Sequence, residues 1–408
     1  MLESMQKYAD FTLEVGLALG QGDRLIVEAP IDAADFIRVL VDRAYQKGAV
    51  TVDVIWDDDA VYRSRFVSGT AEAMGAVTEY SRMLAAATET TDCWLRLVAT
   101  DPARTEGAAA EDVARFEAAN RKAVQPFRDA ALEARIRWSA IGVPTPAWAS
   151  AVYEDVETPE AVNRLWDAIF RVCGVDGDDP AASWWEHNRQ LVGRAATLNE
   201  WHFASLRYRG PGTDLSVRLP DRHVWEGGAI TSADGRVFEP NLPTEEVFTA
   251  PHRTGVDGRV SATKPLFLHG KLVEDLVLEV SEGAIVSFDA SSGRDIIERT
   301  LATDEGAVRF GEVALVPQSS RVAQEHLIWK HMLFDENDAC HIAFGLGYPT
   351  TIEGGLEMTA DERQAAGLNT SSVHVDFVVG SERLDVFGVH ADGSERPLLI
   401  GGEWAFEI

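Results

Sequence analysis

Two short stretches carry residue types from which a metal centre can be built. Residues 334–349 read Phe-Asp-Glu-Asn-Asp-Ala-Cys-His-Ile-Ala-Phe-Gly-Leu-Gly-Tyr-Pro, crowding Asp335, Glu336 and Asp338 before His341 and placing Tyr348 just beyond. An imidazole, several carboxylates and a phenol on one compact segment can supply metal ligands and a proton donor. An acidic loop ending in a core histidine would read the same way. The second stretch, 371–377, is Ser-Ser-Val-His-Val-Asp-Phe. In a strand alternate residues share a face, so His374 and Asp376 would point together while Val373, Val375 and Phe377 enter packing. Two more segments add carboxylates. Glu245 and Glu246 follow Pro243 at the start of an extended run, and Glu312 opens a strand otherwise built of small and branched apolar residues. A carboxylate there is either exposed at the strand end or buried with a partner.

Other groups have plainer readings. All ten histidines fall between His187 and His390, so histidine-dependent chemistry belongs to the second half. His326 and His331 follow Glu325 in a loose echo of a zincin helix, but five-residue spacing makes them diverge around a helix. His252 and His269 are placed near the site, whereas His187, His202, His223 and His390 are read as structural or exposed. Cys93, Cys173 and Cys340 are too scattered for a disulfide framework or a thiolate zinc site. Cys340 reads as a small buried residue despite lying beside His341. Gly16, Gly20 and Gly22 precede a strand instead of following one, which excludes a nucleotide loop. Asp57, Asp58 and Asp59 read as a solvated strand end. A net charge of −29 excludes a nucleic-acid partner, which needs a basic face. The first residues lack the pattern of a secretory signal, and no run approaches the roughly 20 apolar residues of a membrane span. A soluble cytoplasmic protein without a membrane partner is expected.

These residues must be positioned by two kinds of architecture. Strands at 24–30, 50–56, 93–98 and 136–141 alternate with helices at 1–22, 32–47, 70–86 and 110–134, the pattern of a parallel sheet with covered faces. Residues 145–200 read as helical and connecting. Beyond 200 the texture changes to short alternating strands at 202–208, 213–219, 272–280, 284–289 and 374–379, with helices near 292–304 and 319–332. The fold class is therefore an α/β N-terminal domain with a mostly parallel sheet (1–190), plus an α+β C-terminal catalytic domain with a largely antiparallel or mixed sheet (191–408).

Four strings sharpen the picture: Asn-Leu-Pro-Thr-Glu-Glu-Val-Phe-Thr-Ala-Pro at 241–251, Gly-Glu-Val-Ala-Leu-Val-Pro at 311–317, Leu-Phe-Asp-Glu-Asn at 333–337 with His341, and Asn-x-Ser-Ser-Val-His-Val-Asp-Phe at 369–377. Together, in this order, they resemble the M29 metallopeptidases, the aminopeptidase T, S and II enzymes. The likeness extends into the first half through Val15-Gly-Leu, Gly22-Asp-Arg-Leu-Ile-Val and Val52-Asp-Val. The resemblance implies a homodimeric aminopeptidase acting on peptides with a free N-terminus, with two divalent ions per chain (zinc, cobalt or manganese). It implies Glu246, Glu312, His341, His374 and Asp376 as metal ligands and Tyr348 as the catalytic tyrosine. Glu336 matches a further carboxylate, either a ligand or a proton shuttle, and Glu245 is the reserve for Glu246. In such a centre Glu312 is the candidate bridge, and the ions would lower the pKa of a water towards about 7.

Two rivals follow from the same residues. His341, His374 and Asp376 alone could form a mononuclear Fe(II) triad, as in a ring-cleaving dioxygenase of the dihydroxypyridine type. A dimeric scaffold without turnover is the non-enzymatic reading. The retained Glu246 and Glu312 favour the peptidase over both.

Overall fold

Strand–helix alternation in the first half builds one parallel sheet. The computed structural model describes residues 1–99, 101, 104–268 and 270–408, and His269 lies outside the described residues. Strands β1 (Arg24–Pro30), β2 (Thr51–Asp57), β3 (Cys93–Val98), β4 (Arg137–Gly142) and β5 (Asn241–Leu242) pair in the order β2-β1-β3-β4-β5. The buried runs of β1, β3 and β4 suit a sheet covered on both faces. Helix Ala34–Gln46 buries Phe36, Ile37, Leu40 and Ala44. Gly16 owes its place to close packing, because a Cβ there would come within 2.9 Å of Ser139 Oγ.

Several helices differ from the expected spans for local reasons. The helix expected at 1–22 runs over Leu2–Phe11 and then widens into a π turn at Thr12–Gly16. Asp32 lies in a 3-10 turn and does not cap the helix that follows. The helix expected at 70–86 is a short turn, Ala73–Gly75, followed by Glu79–Ala86, and an unexpected helix, Asp59–Ser68, precedes them, with Thr78 and Asp58 as the side-chain caps of the two helices. Pro126 opens a new helix, Gln125–Leu132, immediately after Ala110–Ala123. The helix expected at 319–332 is absent. There the Asp335 carboxylate accepts the amides of Trp329 and His331, and His326 and Lys330 are left-handed, so the backbone bonds sideways instead of along a helix.

The chain forms two compact units, Met1–Trp185 with Ala229–Pro243, and Glu186–Gly228 with Thr244–Ile408. The return of 229–243 to the first unit has a charge at its centre. Arg137, with a side chain 3% exposed, donates to Asp23 at 2.7 Å and to Asp234 at 2.8 Å, while Arg236 reaches Asp23 at 2.7 Å. In the same segment β5 adds to the sheet beside β4, and the Glu239 amide donates to Val15 O.

The second unit contains a four-stranded antiparallel sheet, ordered β6 (Val247–Thr249), β7 (Phe310–Leu315), β8 (His341–Gly345) and β9 (His374–Val378). An eight-stranded antiparallel sheet runs from Ala284–Asp289 at one edge to Glu403–Trp404 at the other. One apolar core includes Leu215, Val217 and Leu278 of the larger sheet with Val313, Ile342, Phe344, Val375 and Phe377 of the smaller. Among the described residues, no helix is long and apolar enough to cross a membrane.

Removing one partner of a buried ion pair leaves the other charge uncompensated. Asp23→Ala should therefore destabilise the first unit by about 3 kcal/mol, read as a lowered urea midpoint of tryptophan fluorescence.

Candidate metal centre

The four-stranded sheet sorts its side chains by chemistry. Across it, Glu312, Ala343 and Asp376 stand opposite one another, as do Ala314 and His341, and Gly345 and His374. Directly opposed residues share a face, so these side chains lie together. Ala314, Ala343 and Gly345 leave room for the long polar groups between them. The other face carries Val313, Ile342, Phe344, Val375 and Phe377 into the core. Glu246, one residue before β6, brings its carboxylate to the same group. The register shifts between Phe310 and Glu312, so Gly311 is a bulge residue. A Cβ at Gly311 would lie 2.0 Å from Leu346 O, so only glycine lets the chain pass there. Glu312 is thus buried inside the sheet, settling the alternative between exposed and buried that the strand pattern left open.

Two groups of ligand atoms result. Glu246, Glu312 and His341 form one, and Glu312, His374 and Asp376 the other, with the atoms of each within 4.8 Å of one another. His341 Nε2 stands 3.0 Å from Glu246 Oε2 and 3.5 Å from Glu312 Oε1. His374 Nε2 stands 3.3 Å from Asp376 Oδ2 and 3.6 Å from Glu312 Oε2. Each imidazole is oriented from behind, with Nδ1 of His341 against Ala339 O at 3.2 Å and Nδ1 of His374 against Leu346 O at 2.8 Å. That presents both Nε2 atoms to the shared space.

The electrostatics fit a site for cations. Burial pushes the Glu312 carboxyl up to about 7, against the His341 contact and aided by the charges of Glu246 and Asp376. Glu336 is raised well above the usual range by burial and then by Asp376 and Glu246. Burial opposes charge on His341, yet Glu246 and Glu312 outweigh it and raise the imidazole well above its ordinary value. His374 behaves likewise, raised to about 10 against burial chiefly by Asp376. Burial would raise Asp376, but the His374 charge and contact hold it low. Asp376 Oδ1 is buried without a hydrogen-bond partner, and Glu246 Oε2 is buried with the His341 imidazole at 3.0 Å. Crowded carboxylates, an orphaned oxygen and oriented imidazoles are the donor set that divalent ions satisfy.

The remaining sequence candidates separate clearly. The Tyr348 ring lies 4.9 Å from the His374 ring, and burial with the site carboxylates raises its phenol well above the ordinary value. Glu336 feels the site charges but belongs to neither ligand group. Glu245 is also outside both, turned towards the Arg321 amide and His187. Asp335 serves backbone amides and Asp338 pairs with Lys264. Cys340 is buried against Val316, with its thiol pushed up to about 11 by burial. His252 contacts Arg218 and Thr254 and belongs to neither ligand group. His202 and His223 stack on each other, and His390 packs on Phe203.

The profile described as thermophilic metalloprotease (M29) matches residues 1–404. The chain belongs to the M29 metalloprotease family. Aminopeptidase T of Thermus thermophilus is 42% identical over 98% of each chain, and Aminopeptidase 2 of Geobacillus stearothermophilus is 41% identical over 100% of this chain and 98% of its own. A solved structure of wild-type AmpT from Thermus thermophilus superposes with a TM-score of 0.93, at 40% identity and 99% coverage of both chains. Its agreement extends to the two-domain description, a parallel sheet with helices and a largely antiparallel partner. The dioxygenase alternative finds no support among these relatives. M29 membership brings divalent metal use with it, and in this M29 protein the two groups above are where such metal fits.

Sequence reasoning missed the residues that hold the ligands in place. Asn369 donates to Gly306 O at 2.9 Å and Gly345 O at 2.5 Å, tying the approach to β9 against the end of β8. Asp304 accepts from Ser371 Oγ at 2.8 Å and from Ser372 N and Oγ at 2.8 and 2.7 Å, fixing the turn before His374. The only signal was the polar run Asn369-Thr-Ser-Ser372, read as part of a family string and not as an anchor.

Burial would raise Asp304, but the bonds from Ser372 and Ser371 outweigh it and hold the carboxyl below its ordinary value. A depressed folded pKa means stability present above the unfolded value of about 3.9 and lost as pH falls through the folded one. Asp304→Asn should be less stable than the parent at pH 7. The gap should close as pH drops below about 4, measured by urea unfolding across pH 3–7.

Proposed function

We propose that this M29 protein is a two-metal aminopeptidase that releases the N-terminal residue of a peptide. The observation carrying this is the position of Glu312, whose Oε1 lies 3.5 Å from His341 Nε2 and whose Oε2 lies 3.6 Å from His374 Nε2. One carboxylate belongs to both ligand groups, as a centre of two ions roughly 3.5–4 Å apart requires. Glu246 and His341 would hold one ion, His374 and Asp376 the other, and Glu312 both. Mixed imidazole and carboxylate donors suit zinc, cobalt or manganese. When bound, such ions supply Lewis-acid polarisation of the scissile carbonyl and make a water acidic enough to ionise near pH 7.

The protein's own side chains do the rest. The Tyr348 phenol stays protonated, because burial and the site carboxylates raise it, and its Oη donates to the developing oxyanion. Glu336, outside both ligand groups but close to their charges, accepts the proton released by the attacking water and passes it to the leaving amine nitrogen. Glu336, Tyr348 and His374 are partly accessible while Glu246, Glu312, His341 and Asp376 are buried, which gives substrate one side of approach. A substrate with a free N-terminus places its ammonium beside this acidic group, which supports exopeptidase action. The relatives' names, Aminopeptidase T and Aminopeptidase 2, agree. The proposal includes a homodimer, carried over from the family resemblance, and a cytoplasmic location, where three buried unbridged thiols stay reduced.

The test is metal content per chain beside hydrolysis of Leu- and Arg-p-nitroanilide, before and after chelation and reconstitution. About two ions, with release abolished by chelator and restored by zinc, cobalt or manganese, is the expected result. Full turnover after complete chelation would end the proposal. Glu312→Ala should lower bound metal and cut hydrolysis by more than about 100-fold, beyond the cost of losing an outer partner. Tyr348→Phe should keep its metal and KM but lose about 100-fold in kcat.

A further inference from the structure

Two adjacent pairs in the second unit share one arrangement. In Glu245-Glu246 and in Glu336-Asn337, one member serves the centre, Glu246 within a ligand group and Glu336 lining one cavity with Asp376, and the other is buried and turned away. The two that turn away meet. Asn337 Oδ1 accepts the Glu245 amide at 2.7 Å, and Asn337 Nδ2 donates to Leu333 O at 2.9 Å, so the side-chain amide is used at both ends. Ser320 Oγ donates to Asn337 O at 3.1 Å. The Glu245 carboxylate is anchored in turn, with Oε1 accepting the Arg321 amide at 3.1 Å and Oε2 lying 3.6 Å from His187 Nε2. The same His187 nitrogen sits 2.8 Å from Thr244 O.

We propose that Asn337 and Glu245 are positioning residues that hold Glu246 and Glu336 on one centre and so set its metal affinity. The inference rests on the reading of Glu246 as a ligand. The chain just before Glu246 is held at the Thr244 carbonyl, the Glu245 amide and the Glu245 side chain, leaving Glu246 little freedom except at its own torsions. Consecutive Cα atoms are about 3.8 Å apart, so slack at Glu245 passes directly to its neighbour. Asn337 ties the turn bearing Glu336 to the same point. An apolar residue would fill the Glu245 site at lower desolvation cost, so what the carboxylate contributes is direction. Partners behind metal ligands act in this way, by fixing ligand orientation before the ion arrives.

Asn337→Leu and Glu245→Met keep bulk and remove the hydrogen bonds, with Glu246→Gln as the reference. Zinc affinity is measured by competition with a chromogenic chelator, and the geometry of the centre by the visible absorption of cobalt-loaded protein. Both readouts stand apart from turnover. Asn337→Leu and Glu245→Met should each weaken zinc about 10–100-fold and change the cobalt bands. Glu245→Gln, which keeps an acceptor for the Arg321 amide, should stay within about threefold of the parent. Wild-type affinity and spectrum in folded Asn337→Leu and Glu245→Met, with an impaired Glu246→Gln, would overturn the positioning role and leave the metal reading intact. An unimpaired Glu246→Gln would remove Glu246 as a ligand and the inference with it. Should Asn337→Leu fail to fold, Glu245→Met against Glu245→Gln decides by the same measures. A Gln as damaging as Met would also overturn it, by showing that charge and not the hydrogen bond matters.

Discussion

Mutual repulsion among Glu246, Glu312, Glu336 and Asp376 is the constraint around which the second unit is arranged. Four carboxylates converge on two imidazoles in a largely buried space, and the shifts at Glu312 and Glu336 show how poorly that space tolerates their charge. In a medium less polarisable than water, like charges a few ångströms apart cannot all stay ionised without cations among them. Two protonated imidazoles relieve part of this, as the raised His341 and His374 indicate. Divalent ions relieve more. They also free the imidazoles to act as neutral ligands, since a proton and a metal compete for the same Nε2.

Gathering such groups would ordinarily cost more stability than a small sheet can supply. The solution is division of labour between faces. One face of β7, β8 and β9 is apolar and joins the main core, while the other alternates ligands with alanine and glycine. The Gly311 bulge and the hydrogen bonds of Asn369 and Asp304 then hold the register in which those ligands align. Specific bonds at the rim thus substitute for packing that the polar face cannot provide.

Much of this was legible in the chain. Apolar runs with turn residues at their ends marked β3 at Cys93–Val98 and the strand Ala284–Asp289 to the residue, and period-two spacing put His374 and Asp376 on one face. Strong local pattern makes such elements readable. What escaped detection depends on contacts distant in sequence. Nothing in 319–332 announces that Asp335 will take the amides of Trp329 and His331 and prevent a helix. Likewise Glu245 and Glu246 are chemically identical neighbours, and what sets Glu245 apart lies far off in sequence, with Asn337 on its amide and Arg321 and His187 beside its carboxylate. The choice of Glu246, and the gathering of all the ligands into one set, came from family likeness and not from spacing.

The return of residues 229–243 to the first unit bears on how the protein is made. Asp234 and Arg236 complete the charge network of Arg137 and Asp23, and β5 closes the edge of the sheet beside β4. On the ribosome these pieces emerge only after 186–228, which belong to the second unit. The first unit therefore waits, with a buried arginine still short of partners, while part of its neighbour is already outside the tunnel. No single cut of the gene separates one unit from the other.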